Sequence, residues 1–259
     1  KTNTIQYVTI STLGNAADFG DLTKDIRSQL CGSSNAVRAC TYGGHNGSSR
    51  VDHIEFVTIA TLGNSFDFGD LSATRRITNA TSSSTRGVIS GGYEDPNTVD
   101  TMEYIQFAST GNAADFGNLT ASRRNGNGTS SSTRGMMSGG YEDPASVNKM
   151  EYIQFATLGN AVDFGDLTAA IQYSPSGVSD KTRGIRLGGN NAPNAAVNII
   201  DYWTMSITGN AVDFGDMSQG TRFSASCNSA TRGVIAGGSW LNSSPGNTNR
   251  IEYITMQST

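Results

Sequence analysis

Gly14-Asn15-Ala16-Ala17-Asp18-Phe19-Gly20-Asp21-Leu22 is written five times along the chain, returning at Gly63–Leu71, Gly111–Leu119, Gly159–Leu167 and Gly209–Met217. Its phenylalanines, Phe19, Phe68, Phe116, Phe164 and Phe214, lie 49, 48, 48 and 50 residues apart. A repeat of this length with Gly-Gly and aromatic signatures predicts an array of small sheets. One such unit cannot bury its own apolar face, so the units must stack against each other. The 259 residues are therefore expected to form a single domain of five repeats.

The second copy shows the strands. Ile54 to Thr61 alternates and is rich in β-branched residues, which reads as a strand. Gly63-Asn64 suits a tight hairpin turn, and Phe66 to Leu71 returns as the second strand. A weak strand is expected over Ile77 to Ala80. Another follows in Thr85-Arg86-Gly87-Val88-Ile89-Ser90-Gly91-Gly92. No helical period occurs anywhere. Four strands per unit describe a blade, and the fold class is an all-β, five-bladed propeller.

The ends of the chain bear on closure. The aromatic strand motif occurs six times, at Tyr7, Phe56, Tyr104, Tyr152, Tyr202 and Tyr253, against five for the Phe-Gly and Gly-Gly motifs. N- and C-terminal strands should thus share a composite closing blade, which removes exposed sheet edges. The surplus strand could double an outer edge, pair with another molecule or belong to a longer array. The chain starts at Lys1 without an initiator Met, as expected of a processed product or a segment of something longer.

Gly91-Gly92 followed by Tyr104 resembles the Kelch repeat, with Phe116 near the place of the Kelch tryptophan. The wording T-G-N-A-x-D-F-G-D-L, T-R-G-x-x-x-G-G and I-E-Y-I-T is similar, over essentially the whole chain, to repeats of virion structural proteins of tailed phages, marine ones especially. That resemblance implies a place on a particle surface, with other virion proteins or a host-surface glycan or receptor as partners.

Composition narrows the function classes. Net charge is −4 and charged residues make up only 15%, which argues against a phosphate-backbone partner. No apolar run approaches the roughly 18 residues of a membrane-spanning helix. Cys31, Cys40 and Cys227 show no CxxC pattern and read as buried thiols, with a structural disulfide as the alternative. His45 and His53 are the only histidines, and no Ser-His-Asp order, HExxH or Walker loop can be assembled. No enzyme activity, cofactor or resident metal is expected.

Three groups of residues remain. The paired carboxylates of Asp-Phe-Gly-Asp are expected to cap and to pair with the repeat arginines, calcium ligation being the alternative. Residue 118 is Asn in the third copy. The arginines Arg38, Arg86, Arg134, Arg183 and Arg232 are expected to bond carboxylates or backbone carbonyls between blades, an anion-holding ring in the channel being the alternative.

The segments that break the repeat carry the candidate ligand site. In a Kelch-like blade the loops after Gly-Gly and after the fourth strand open on one face. The first set is His45-Asn46-Gly47, Tyr93-Glu94-Asp95-Pro96, Tyr141-Glu142-Asp143-Pro144, Asn190-Asn191-Ala192-Pro193 and Ser239-Trp240-Leu241-Asn242; the second includes Arg27, Arg75, Arg76, Arg123, Arg124 and Arg222. Tyr93, Glu94, Asp95, Tyr141, Glu142, Asp143 and Trp240, with Arg76 and Arg124, offer rings, carboxylates and guanidinium groups for a polar ligand or glycan. Ordinary loop variation is the competing explanation. A free-standing propeller lectin, multiplying weak sites by avidity, is the alternative to a virion component.

Overall fold

A computed structural model describes residues 2–26, 28–173, 176–191, 195–239 and 246–257. The chain is a five-bladed β-propeller, with no helix among the described residues. Blade 1 consists of Cys31–Ser34, Arg38–Tyr42, His53–Thr58 and Phe66–Asp70, hydrogen-bonded antiparallel in chain order. Blade 2 (Asn79–Ser82, Arg86–Ser90, Thr101–Gln106, Ala114–Asn118), blade 3 (Asn127–Ser130, Arg134–Ser138, Lys149–Gln154, Val162–Asp166) and blade 4 (Ser176–Ser179, Arg183–Leu187, Ile199–Thr204, Val212–Asp216) repeat the pattern. First strands of successive blades touch each other around the axis, so the fourth strands form the rim.

The inner strand begins at Asn79 rather than Ile77. Ile77 instead adopts a left-handed backbone, with φ of 59°, and enters the loop.

Phe-Gly marks a β-bulge in every fourth strand. In blade 2, Met102 pairs with Gly117 and Glu103 with Asp115, leaving Phe116 as the extra residue. Phe19, Phe68, Phe164 and Phe214 are passed over in the same way. A bulge bends its strand and re-aims a side chain. Here it turns the ring into the space between blades, where Phe116 packs with Met102 of its own blade and Ile153 and Phe155 of the next. Each phenylalanine also meets the aromatic of its third strand edge-on, as Tyr104 and Phe116 do at 6.0 Å, a favoured geometry for ring pairs.

The following glycine is required by its neighbour. A Cβ on Gly117 would lie 2.5 Å from the carbonyl oxygen of Gly159 in blade 3, and Gly20, Gly69 and Gly165 meet the same obstacle. Gly215 has nothing within 4 Å of that position. Both Gly117→Ala and Gly215→Ala force a side chain into a positive-φ conformation (140° and 136°). Only the first also collides with backbone. Gly117→Ala should therefore lower stability in urea by about 1–3 kcal/mol more than Gly215→Ala, the range for overpacking. Equal losses would show that the close approach is not what demands glycine.

The Gly-Asn turns latch blades together rather than closing tight hairpins. Gly111 donates to the carbonyl of Phe68, Ala113 donates to that of Asp70, and Asn112 Oδ1 accepts the Asp70 N–H at 3.1 Å. Asn64, Asn160 and Asn210 accept equivalent N–H groups from Asp21, Asn118 and Asp166.

Both ends of the chain build the closing region. Blade 5 is Ala225–Asn228, Arg232–Ala236 and Ile251–Thr255, and the N-terminal strands Thr2–Tyr7 and Ala17–Ile26 pair with each other as a separate hairpin. The surplus strand is thus the first half of that hairpin. Its two sides repeat the contacts of a blade: Arg232 of blade 5 donates to the Ile10 carbonyl, and Gly63 of blade 1 donates to that of Phe19. Among the described residues, blade 5 and the hairpin share no backbone ladder.

Candidate functional site

The five repeat arginines lie between blades. Nη1 of Arg38, Arg86, Arg134, Arg183 and Arg232 donates to the carbonyls of Phe107, Phe155, Met205, Met256 and Ile10 of the following unit. Each guanidinium also covers its own blade's third-strand ring, as Arg134 does over Tyr152 at 4.6 Å. This is the carbonyl-bonding reading of those residues. They do not form an ion-holding ring in the channel.

The carboxylates of Asp-Phe-Gly-Asp correct the expectation of pairing. Asp18, Asp67, Asp115, Asp163 and Asp213 are exposed, and no ion pair joins them to a repeat arginine among the described residues. Because the arginines bond carbonyls, it is the backbone of the second acidic position, not its side chain, that makes the structural contact. Among the described residues, Asp70 alone of these carboxylates joins a group with ligand potential, with Asp52 and His53, whose Nδ1 lies 3.2 Å from Asp70 Oδ1.

A second set of arginines is buried, which the sequence reading missed. Arg75, Arg123 and Arg186 are at most 1% exposed. Arg123 meets the equally buried Glu151, with Glu142 Oε1 at 3.9 Å from its Nε. Arg75 bonds Glu94 at 2.6 Å and Glu103 at 3.2 Å. In blade 4 the position matching Arg123 is Ile171, and Arg186, on the adjacent strand, reaches Asp201 instead. The same carboxylates hold the next segment of the preceding blade, as Glu103 accepts the Ser72 N–H at 2.9 Å. Burial pushes the Glu151 carboxyl up, against the pull of Arg123. Arg75 and Arg123 thus leave the set of exposed face residues.

The remaining face residues do converge. Isolated bridges join Arg76 to Tyr93, Arg124 to Tyr141 and Arg222 to Ser239, which sets the two loop families side by side. Tyr93–Glu94 pairs with Asn97–Thr98, and Tyr141–Glu142 with Ala145–Ser146, as short hairpins. Gly-Gly allows this approach: a Cβ on Gly91 would sit 2.2 Å from the Arg123 carbonyl.

Three guanidinium groups surround one ring. Arg50, Arg76 and Arg124 lie 5.4, 5.3 and 5.4 Å from the Tyr93 centroid, and Arg124 also sits 4.8 Å from that of Tyr141. Such cation–ring contacts orient both partners. Asp95 and Asp143, more than half exposed, pair with Arg50 at 2.6 Å and Arg124 at 2.9 Å. Hydrogen bonds from Arg124 hold the Asp143 carboxyl below its usual range. Glu94 and Glu142 are turned inward to Arg75, Arg123 and Lys149. Exposed acidic edges and shared guanidinium groups therefore make up this face. Arg27, Ala192, Pro193, Trp240, Leu241 and Asn242 lie outside the described residues.

Directly beside the arginines runs a strained annulus. Gln29, Ile77, Asn125, Tyr173 and Phe223 all have φ between 55° and 68°, a conformation costly for side chains with a Cβ. Ile77 donates to Gln29, Asn125 to Ile77, and Phe223 to Tyr173, tying neighbouring units at the same level. Tyr173 and Phe223 are 5.5 Å apart under Arg222. The residue following each Arg76- or Arg124-type position was the available sequence signal.

No disulfide joins the cysteines among the described residues. All three are free, and burial pushes the Cys31 and Cys40 thiols up to about 12. Cys227 is exposed, not buried, because the inner strand of blade 5 is open. No known family model matches the chain, and no curated protein matches it.

Proposed function

We propose that this chain is a non-enzymatic binding propeller with Kelch-like repeats, a surface component of a tailed-phage particle that attaches to a polar, carbohydrate-type receptor. The observation that carries this reading is the cluster of Arg50, Arg76 and Arg124 around Tyr93, continued through Arg124 to Tyr141. These residues depart from the repeat consensus, yet they sit on a scaffold built from repeated strands and turns. Loops on a rigid frame are where specificity is placed. Exposed Asp95 and Asp143 supply acceptors for sugar hydroxyls, and the guanidinium groups supply donors in a fixed fork. Only two blades carry the Tyr-Glu-Asp-Pro loop, so two like sites lie on neighbouring blades rather than five around the ring. The likeness to virion repeats supports the location on a particle.

A glycan array probed with the purified protein tests the reading. The double variant Tyr93→Ala/Tyr141→Ala should lose at least about ten-fold in affinity for any glycan retained, as expected when central aromatic anchors are removed, with circular dichroism and melting unchanged. Undiminished binding by that variant, or a ligand mapped to the opposite face, would assign the activity elsewhere.

A further inference from the structure

Blade 1 brings together an imidazole and two carboxylates at a level where the other blades do not. His53 stands directly opposite Asp70 in the pairing of its third and fourth strands. The residue at the His53 position is Thr101 in blade 2, Lys149 in blade 3 and Ile199 in blade 4. Asp52 precedes His53, and its carbonyl accepts the Leu71 N–H at 2.8 Å. The same main-chain bond recurs in blades 2, 3 and 4, donated by Leu119, Leu167 and Met217. The backbone therefore holds these strand ends together whichever side chains they carry.

The side chains differ in what they can do. At the Asp52 position blade 4 has Asn198, whose Nδ2 donates to the Met217 carbonyl at 3.4 Å. A carboxylate has no hydrogen to donate, so Asp52 cannot make that bond to Leu71. Its Oδ1 lies 3.8 Å from His53 Nδ1, and Asp70 Oδ1 lies 3.2 Å from the same nitrogen. One donor atom from each of the three residues falls within 4.8 Å of the other two. A single ring N–H can satisfy only one of the two carboxylates, whereas a divalent cation satisfies all three groups. With zinc bonds of about 2.0–2.2 Å, donor atoms at tetrahedral angles lie about 3.3–3.6 Å apart. That spacing falls between the two distances found here. The three side chains are 35–46% exposed, so an ion can enter from solvent and keep a water.

We infer that Asp52, His53 and Asp70 form a binding site for zinc or a like first-row divalent ion, with a fourth position open to water. Imidazole joined to carboxylates suits such an ion, whereas calcium and magnesium take oxygen donors. The metal occupies Nδ1 of the ring, and the imidazole hydrogen sits on Nε2. The bound ion clasps the third and fourth strands of blade 1 through their side chains, independently of the proposed receptor face.

The test is calorimetric titration of the intact protein, first stripped with a chelator, with zinc chloride. One equivalent should bind per chain, saturating below about 100 µM, and zinc should raise the melting temperature. Excess magnesium or calcium should not displace it. The variants His53→Thr, Asp52→Asn and Asp70→Asn install residues that other blades already carry, as Thr101, Asn198 and Asn118 do. Each should melt like the parent without zinc, yet bind zinc at least about ten-fold more weakly. His45→Ala, at the other histidine, should bind as the parent does. In the unsubstituted protein, zinc should shift the NMR signals of the His53 ring and leave those of His45 in place. Absence of saturable binding up to about 1 mM, parental affinity in His53→Thr, or a shift confined to His45 overturns the site.

Discussion

Truncation of Phe116 to alanine should destabilise the propeller by about 3–5 kcal/mol, the range for a large core aromatic, measured as a shift of the urea midpoint at constant m-value. The ring is 2% exposed and joins two blades through Met102, Ile153 and Phe155. Its loss leaves a void bounded by two sheets that are held at fixed spacing by the Gly117–Gly159 approach, so collapse into the space is restricted. The same change at Phe214 should cost distinctly less, since that ring is only partly buried. Equal losses at both positions would remove the interblade role from Phe116.

Replacing Arg123 by methionine should be about as damaging, at about 3–5 kcal/mol, because it leaves the Glu151 carboxylate buried without its cation. The expected signature is non-additivity. With Glu151→Met added, most of the loss should return, since a buried ion pair exchanged for apolar groups of like volume is often neutral. Thermal melts of the two single variants and the double variant decide it. Additive losses would mean that the two side chains act independently.

How much of this was legible in the sequence follows from what repetition can display. Five equal stretches imply five equal environments, so the blades, their four strands and the burial of Phe19, Phe68, Phe116 and Phe164 could be read directly, whereas Phe214, expected to be buried with them, is only partly so. Strand pattern and turn residues report local backbone, and these agreed except where Ile77 leaves the inner strand for a left-handed turn and where Gly63-Asn64 reaches the preceding unit instead of closing a tight hairpin. The Arg38 family could be placed between blades because a cation repeated in every unit needs a repeated partner. Interblade partners were harder. Asp70 was read as a side-chain capping group, but its main-chain N–H makes the contact, with Asn112, 42 residues away. Nothing local in either stretch discloses that.

At the candidate face, adjacency of Tyr93 to Arg76 and of Tyr141 to Arg124 came from the order of loops alone. The division of labour between neighbouring arginines did not. Arg75 and Arg76 are consecutive and identical in type, yet one is 1% exposed and the other lies over Tyr93 at 5.3 Å. Strand-end geometry sends successive side chains to opposite sides, and one residue of phase decides which of them is buried.

The shift of a cation from the loop to Arg186 has a bearing on how such a molecule can be rearranged. Blade 3 carries Glu151, but its counter-ion Arg123 comes from the segment that leaves blade 2. Blade 4 holds Arg186 and Asp201 on two neighbouring strands of its own sheet. Blade 4 is thus electrically self-sufficient and could be duplicated, deleted or grafted as a module. Blade 3 is a dependent, functional only downstream of a unit that donates an arginine. Recombination within an array of this kind is therefore not free: its breakpoints are restricted by which copies carry both charges and which borrow one.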